Sequence, residues 1–152
     1  MDDVRDGAFW QDVAEHPQVA PHVTMGRRVD MARLVNHPMV TPFRYEGGGF
    51  LLIRQDPLGR VHELHTLFKP EAWGREVNRA AKDMFRAMFR QTDVIVTHEV
   101  EGWWRSRPPK SFGFVKAADF RATPEGLSLS TWILTKAAWE ASPAAKRGAS
   151  CL

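Results

Sequence analysis

The segment 60–91, RVHELHTLFKPEAWGREVNRAAKDMFRAMFRQ, constrains the fold more than any other part of the chain. Residues 61–68 mix β-branched, aromatic and aliphatic side chains with single polar ones, as a half-buried strand does, and Pro70 ends the run. After Gly74, residues Val77, Ala81, Met84, Met88 and Phe89 recur at three- and four-residue intervals, which predicts a helix laying one apolar stripe on a sheet. A helix that starts directly after a strand leaves the N–H groups of its first turn without intrahelical acceptors, a general anion site. The segment therefore calls for strand, tight loop and helix, with room for a phosphate-bearing cofactor at the loop.

Around this segment the pattern predicts two leading helices, a meander and a closing hairpin. Residues 6–15 have helical spacing with Phe9, Trp10 and Val13 on one side, closed by His16-Pro17. Residues 18–26 read as irregular. Asp30 is an N-cap for a short helix through Leu34 and Val35, which His37-Pro38 ends. Strands follow over 40–45 and 49–55, joined by Glu46-Gly47-Gly48, and Asp56-Pro57-Leu58-Gly59 turns the chain into strand 61–68. Beyond the long helix, the β-branched run 94–98 predicts a parallel neighbour to strand 61–68, because strand, helix and strand make a right-handed crossover. The Trp- and Pro-rich stretch 101–111 resists a regular helix. Strands over 112–121 and 127–134 form a hairpin across Thr123-Pro124-Glu125-Gly126, and 136–141 adds a helical turn.

At 152 residues and 43% hydrophobic content the chain is the size of one ordinary domain with a real core. The expected division is a domain over 1–142 and a small, polar, flexible tail over 143–152. The formal net charge of +3 permits an acidic partner, nucleic acid included, without requiring one. Cys151 is the single cysteine, which rules out an internal disulfide framework and a Cys-based zinc site. No apolar run approaches a membrane span, and MDDVRDGAFW lacks the basic-then-apolar layout of a signal peptide. The expected location is the cytoplasm, a host cytoplasm included, or a particle assembled there.

The element order resembles the GNAT superfamily of acetyl-CoA-dependent N-acetyltransferases. The run GGGFLLIRQDPLGRVHELHTLFKPEAWGREVNRAAKDMF, followed by TDVIVTHEV and by Phe112-Gly113-Phe114, is most similar to small GNAT-like proteins encoded by bacteriophages. The resemblance implies a single α/β domain whose mixed, mostly antiparallel sheet is flanked by helices. It makes 60–68 the fourth strand of the family, 69–75 the pyrophosphate loop and 78–91 the third helix. It also implies acetyl-CoA as cofactor, with Phe68, Trp73, Gly74, Arg75 and Glu76 around its diphosphate. The family's loop carries Gln or Arg, then Gly, then Gly or Ala, and the matching positions here are Glu71, Gly74 and Glu76. The family's Asn, Ala and catalytic Tyr fall on Gly102, Arg105 and Pro109, and Tyr45, the single tyrosine, lies on another strand.

Two readings follow. In the first, the acetyl-CoA site is degenerate, no cofactor is held, and the protein is a virion-associated structural or protein-interaction module. Its contact residues are then Trp103, Trp104, Arg105 and Arg107, an aromatic and arginine cluster of the kind that makes interface hot spots. Its partners are other phage or virion proteins, with nucleic acid reached through the helical stripe of Arg75, Arg79, Lys82, Arg86 and Arg90. In the second, the protein is an acetyl-CoA-dependent N-acetyltransferase acting on an amine. Glu63, His65 and His98 are then the candidate bases, since alternation puts Glu63 and His65 on one strand face and imidazole titrates near neutrality. The cluster of His62, Glu63 and His65 lacks a fourth partner nearby, so no metal is expected.

Overall fold

The computed structural model describes residues 3–24, 27–103, 106–121 and 128–149. Strands β1 (Val40–Tyr45), β2 (Gly48–Arg54), β3 (Val61–Phe68), β4 (Val94–Val100), β5 (Val115–Arg121) and β6 (Ser128–Thr135) form one six-stranded sheet in the order β1-β2-β3-β4-β6-β5. Strands β3 and β4 pair in parallel, while β1 with β2, β4 with β6 and β5 with β6 are antiparallel. Helices α1 (Gly7–Ala14), α2 (Ala20–Val23), α3 (Met31–Val35), α4 (Arg75–Met88), α5 (Lys136–Ala141) and α6 (Pro143–Ala149) complete the α/β fold that the sequence predicts.

The residues condense into two units, 1–54 with 64–84, and 55–63 with 85–152. In the first, the Asp6 carboxylate caps α1 by accepting from the Ala8 amide at 3.0 Å, and Asp30 caps α3 by accepting from Arg33 at 3.1 Å. Capped in this way, the two short helices bury Trp10, Val13, Ala14, Met31 and Val35 against Val40, Leu51 and Leu67. The β1–β2 turn is built on close approach: a Cβ on Gly48 would lie 2.0 Å from the Leu67 carbonyl oxygen. That closeness lets Gly47 accept from the Lys69 amide at 2.9 Å, which fixes where β3 ends and the next loop begins. The stretch 18–26, expected to be irregular, holds α2, whose Pro21 sits in the first turn where a proline costs the helix no hydrogen bond.

The second unit packs Phe85, Phe112, Phe114 and Trp139 together, with ring centroids 5.3 Å apart for Phe85 and Trp139 and 5.9 Å for Phe112 and Trp139. The expected strand 112–121 starts later, at Val115, because Lys110–Phe112 is a 3-10 turn that carries Phe112 into this cluster. Helix α4 stops at Met88, short of the expected Gln91, where the amides of Gln91 and Thr92 turn back to the Met88 carbonyl. Chain beyond Ser142, expected to be a flexible tail, is helical over Pro143–Ala149. Ser142 acts as its N-cap, the hydroxyl accepting from the Ala145 amide at 3.2 Å, and Ala144 is fully buried. Edge strand β5 has a register shift between Lys116 and Ala118 and leaves Val115 64% exposed. The expected turn at 123–126 lies outside the described residues. Among those described, no helix is long and apolar enough to cross a membrane.

Candidate functional site

The first unit holds a loop between strand and helix. From the end of β3 the chain passes through a 3-10 turn, Pro70–Ala72, and enters α4 at Arg75. The Trp73 indole folds back and donates from Nε1 to the Phe68 carbonyl at 3.1 Å, tying the loop to the strand it leaves. Gly74 takes φ +108°, a conformation that side chains resist, and a Cβ there would meet nothing within 4 Å. The first intrahelical bond runs from the Asn78 amide to the Gly74 carbonyl at 3.1 Å. The amides of Arg75, Glu76 and Val77 therefore precede any intrahelical acceptor and carry the positive end of the helix dipole. Glu71, Arg75, Glu76 and Arg79 are all exposed around this opening.

The remaining loop candidates divide. Phe68 is 2% exposed and packs edge-on to Phe50 at 5.2 Å, so its ring belongs to the core and its carbonyl to Trp73. Lys69 pairs with Asp12 of α1. Tyr45 stands near the β1–β2 turn, edge-on to Phe50 at 6.0 Å. Burial, with the charge of Asp83 added, pushes its hydroxyl up to about 12, so it stays a proton donor.

The second unit, taken by itself, holds a group of polar side chains on neighbouring strands. The parallel ladder of β3 and β4 pairs Val61 with Val94, His62 with Ile95 and Glu63 with Val96. Alternation then buries His62 and leaves Glu63 half-buried on the opposite side. His62 Nδ1 lies 2.8 Å from Thr92 Oγ1, whose hydroxyl donates to the Arg60 carbonyl at 2.8 Å. That histidine therefore pins the crossover into β4. On the Glu63 side, its Oε1 lies 3.7 Å from His98 Nε2, and His98 Nδ1 lies 3.1 Å from Thr131 Oγ1. His98 and Thr131 are directly opposed in the β4–β6 register. Three strands thus bring a carboxylate, an imidazole and a hydroxyl into one row. His65, half-buried, lies two residues farther along β3. Sequence reasoning found Glu63 and His98 but missed Thr131, because only the β4–β6 register reveals it. Among the described residues no group of three or more His, Cys, Asp or Glu side chains is arranged to hold a metal ion.

Part of the expected contact cluster also bonds within the chain. Arg107 donates from Nε to Glu99 at 2.8 Å, and Trp132 donates to the other oxygen of the same carboxylate at 3.0 Å. Ser106 accepts from the Val100 amide at 2.8 Å and donates to the Trp103 carbonyl at 2.7 Å, which folds the stretch after β4 back on itself. Trp103 is half-buried, and Trp104 and Arg105 lie outside the described residues. Along α4, Arg75 and Arg79 are exposed while Lys82 and Arg86 are half-buried, and the exposed carboxylates of Glu76 and Asp83 interrupt the stripe.

No protein-family model matches the chain, and no curated protein matches it. Solved structures do. A T. thermophilus protein assigned as an acetyltransferase superposes with a TM-score of 0.62 at 21% identity, covering 82% of this chain and 73% of its own. A chimera of the Vibrio cholerae spermidine N-acetyltransferase SpeG with hSSAT gives 0.66 at 13% identity, over 92% of this chain and 95% of its own. A GNAT-family protein from Desulfovibrio desulfuricans gives 0.58 at 14% identity, over 88% and 95%. One further likeness is confined to 57% of the other protein's length. At such identities the likeness shows architecture alone: the chain has the GNAT fold of these structures.

Proposed function

We propose that the protein is an acetyl-CoA-dependent N-acetyltransferase that acts on an amine. The observation that carries this reading is the opening at Gly74, where left-handed backbone and an empty Cβ position stand directly before the free amides of α4. Backbone amides bind a diphosphate whatever the neighbouring side chains, so Glu71 and Glu76 alter its strength and leave its basis in place. The residues present therefore fit the cofactor. The Trp73 amide is taken by the Pro70 carbonyl at 3.1 Å, so the amides of Arg75 and Glu76 would hold the diphosphate, with Arg75 and Arg79 offsetting the nearby carboxylates. When bound, acetyl-CoA supplies an acyl group on a good leaving thiolate. The chain's own task is then to hold an amine and remove a proton from it, for which Glu63 and His65 are the candidate bases.

The GNAT architecture of the similar solved structures supports this reading over that of a virion-associated module, for which no observation speaks. The test is calorimetric titration with acetyl-CoA and CoA at moderate salt, where loose attraction to arginines is screened. It is followed by measurement of thiol release with a panel of primary amines. Micromolar binding and amine-dependent thiol release are expected. No binding up to millimolar ligand would overturn the transferase reading.

A further inference from the structure

We propose that the second unit holds a binding site for a small zwitterion, a molecule that carries an ammonium and a carboxylate as an amino acid does. The site is a cavity of about 490 Å³ whose described walls are the end of β4, the turn after it, and the facing parts of β5 and β6. Strand register assembles it. Glu99 stands opposite Ser130 and Ser130 opposite Asp119, so one row crosses β4, β6 and β5, and Lys116 pairs with Trp132 on the same face. Glu99 and Ser130 adjoin His98 and Thr131 in sequence, so alternation turns this row to the other face of the sheet. The site is therefore separate from the candidate bases and independent of the transferase reading.

The anion grip is set by bonds already made. Ser106 accepts from the Val100 amide at 2.8 Å, and the return of chain it fixes brings Arg107 to Glu99. The Glu99 side chain is only 13% exposed, and both its oxygens are engaged: one accepts from Arg107 Nε at 2.8 Å, the other from the Trp132 indole at 3.0 Å. Anchored through Nε, the Arg107 side chain is still 67% exposed, and its two terminal nitrogens meet no acceptor among the described residues. Such a fork matches the two oxygens of a carboxylate.

Other walls supply negative charge. Asp119 accepts from the Ser130 hydroxyl and pairs with Lys116 at 2.9 Å. Glu101 donates its amide to the Ser128 carbonyl at 3.0 Å, while its exposed carboxylate has no partner among the described residues. Beside it, Gly102 takes φ +85° and a Cβ there would meet nothing within 4 Å, which keeps the entrance open. An ammonium brings three donors for these carboxylates.

The balance of charge selects the ligand. Three carboxylates, Glu99, Glu101 and Asp119, share the lining with two cations, Arg107 and Lys116. A simple anion drawn to Arg107 meets Glu101 and Asp119, and a simple amine drawn to those carboxylates meets Arg107 and Lys116. A molecule with both charges satisfies both grips. Exposed pairs such as Lys116 and Asp119 exchange partners at little cost, so they do not bar its entry.

The test titrates the full chain, labelled with 15N, near neutral pH with glycine, β-alanine and γ-aminobutyrate, which differ in the spacing of their charges. Propylamine and propionate serve as single-charge controls. Saturable shifts at the amides of Gly102, Asp119 and Ser130 are expected for at least one zwitterion, with an affinity at least about tenfold above either control. Glu101→Gln removes a charge that holds no bond, and Arg107→Lys keeps a cation for Glu99 while losing the fork. Each should weaken that zwitterion at least about fivefold, with the remaining amide signals superimposable. No saturable shift with any of the three up to roughly 100 mM, controls that bind as tightly, or variants that bind unchanged would each overturn the assignment. None of these measurements uses CoA, so failure to bind CoA would sink the transferase reading separately.

Discussion

The loop at Gly74 and the row of Glu63, His98 and Thr131 are built in opposite ways. The loop offers backbone: left-handed φ, an open Cβ position and amides at the start of α4. The row offers side chains, each held by the strand that carries it and ordered by strand register. A site made of backbone depends little on side-chain identity and fails when the conformation itself is denied. A side-chain site can be silenced by one isosteric change without disturbing the fold. A loop motif written in side chains can therefore erode without removing the backbone amides beneath it.

The largest expected effect comes from the row. Glu63→Gln should lower amine-dependent thiol release roughly a hundredfold, while CoA affinity measured by calorimetry stays within about twofold of wild type. A parallel loss of CoA affinity would break the proposed division of labour. Next is the loop. Gly74→Ala meets no atom but must adopt a conformation costing about 1–3 kcal/mol, so CoA affinity should fall at least about fivefold. A smaller effect sharpens the role of the carboxylates: Glu76→Gln should tighten CoA binding about twofold to threefold at low salt, a gain that fades as salt is raised.

The smallest effect concerns Tyr45. Its hydroxyl keeps its proton up to about 12 in the folded chain, against an ordinary value of 10.0. The folded form therefore binds the proton more tightly, and the associated stability is complete below pH 10 and is lost between 10 and 12. Tyr45 is partly open to solvent, which damps the size of this loss. Urea midpoints measured on either side of that window should fall less in Tyr45→Phe than in wild type.

Much of the fold is legible in the sequence because its signals are local. Asp30 announces α3, the glycines after Glu46 announce the hairpin, and the spacing from Val77 to Met88 announces α4. What could not be read depends on contacts distant in sequence. The strand expected to begin at Phe112 begins at Val115 because the ring is recruited by Phe85 and Trp139, which no local pattern encodes. The helix after Ser142 was hidden by small-residue composition, although Ser142-Pro143 is itself a helix-start signal. In the candidate site, Glu63 and His98 are visible from strand periodicity. Thr131 is not, since its place beside His98 follows from register across β4 and β6. The pairing of Arg107 with Glu99, which Trp132 shares, is hidden for the same reason, because these residues meet only once the strands are assembled.

The irregular edge at β5 bears on how the protein survives crowding. A flat, apolar outer strand invites other chains to extend the sheet and seeds fibrils. Here Val115 offers such an invitation, but the register shift at Lys116 and Ala118 bends the hydrogen-bonding row, and Lys116 and Asp119 place opposite charges 2.9 Å apart beside it. An incoming strand would have to straighten the bulge and strip water from an ion pair before gaining a single ladder bond. The outer strand is thus poorly shaped for extension, and straightening it by deleting Ala117 is expected to raise the tendency to aggregate.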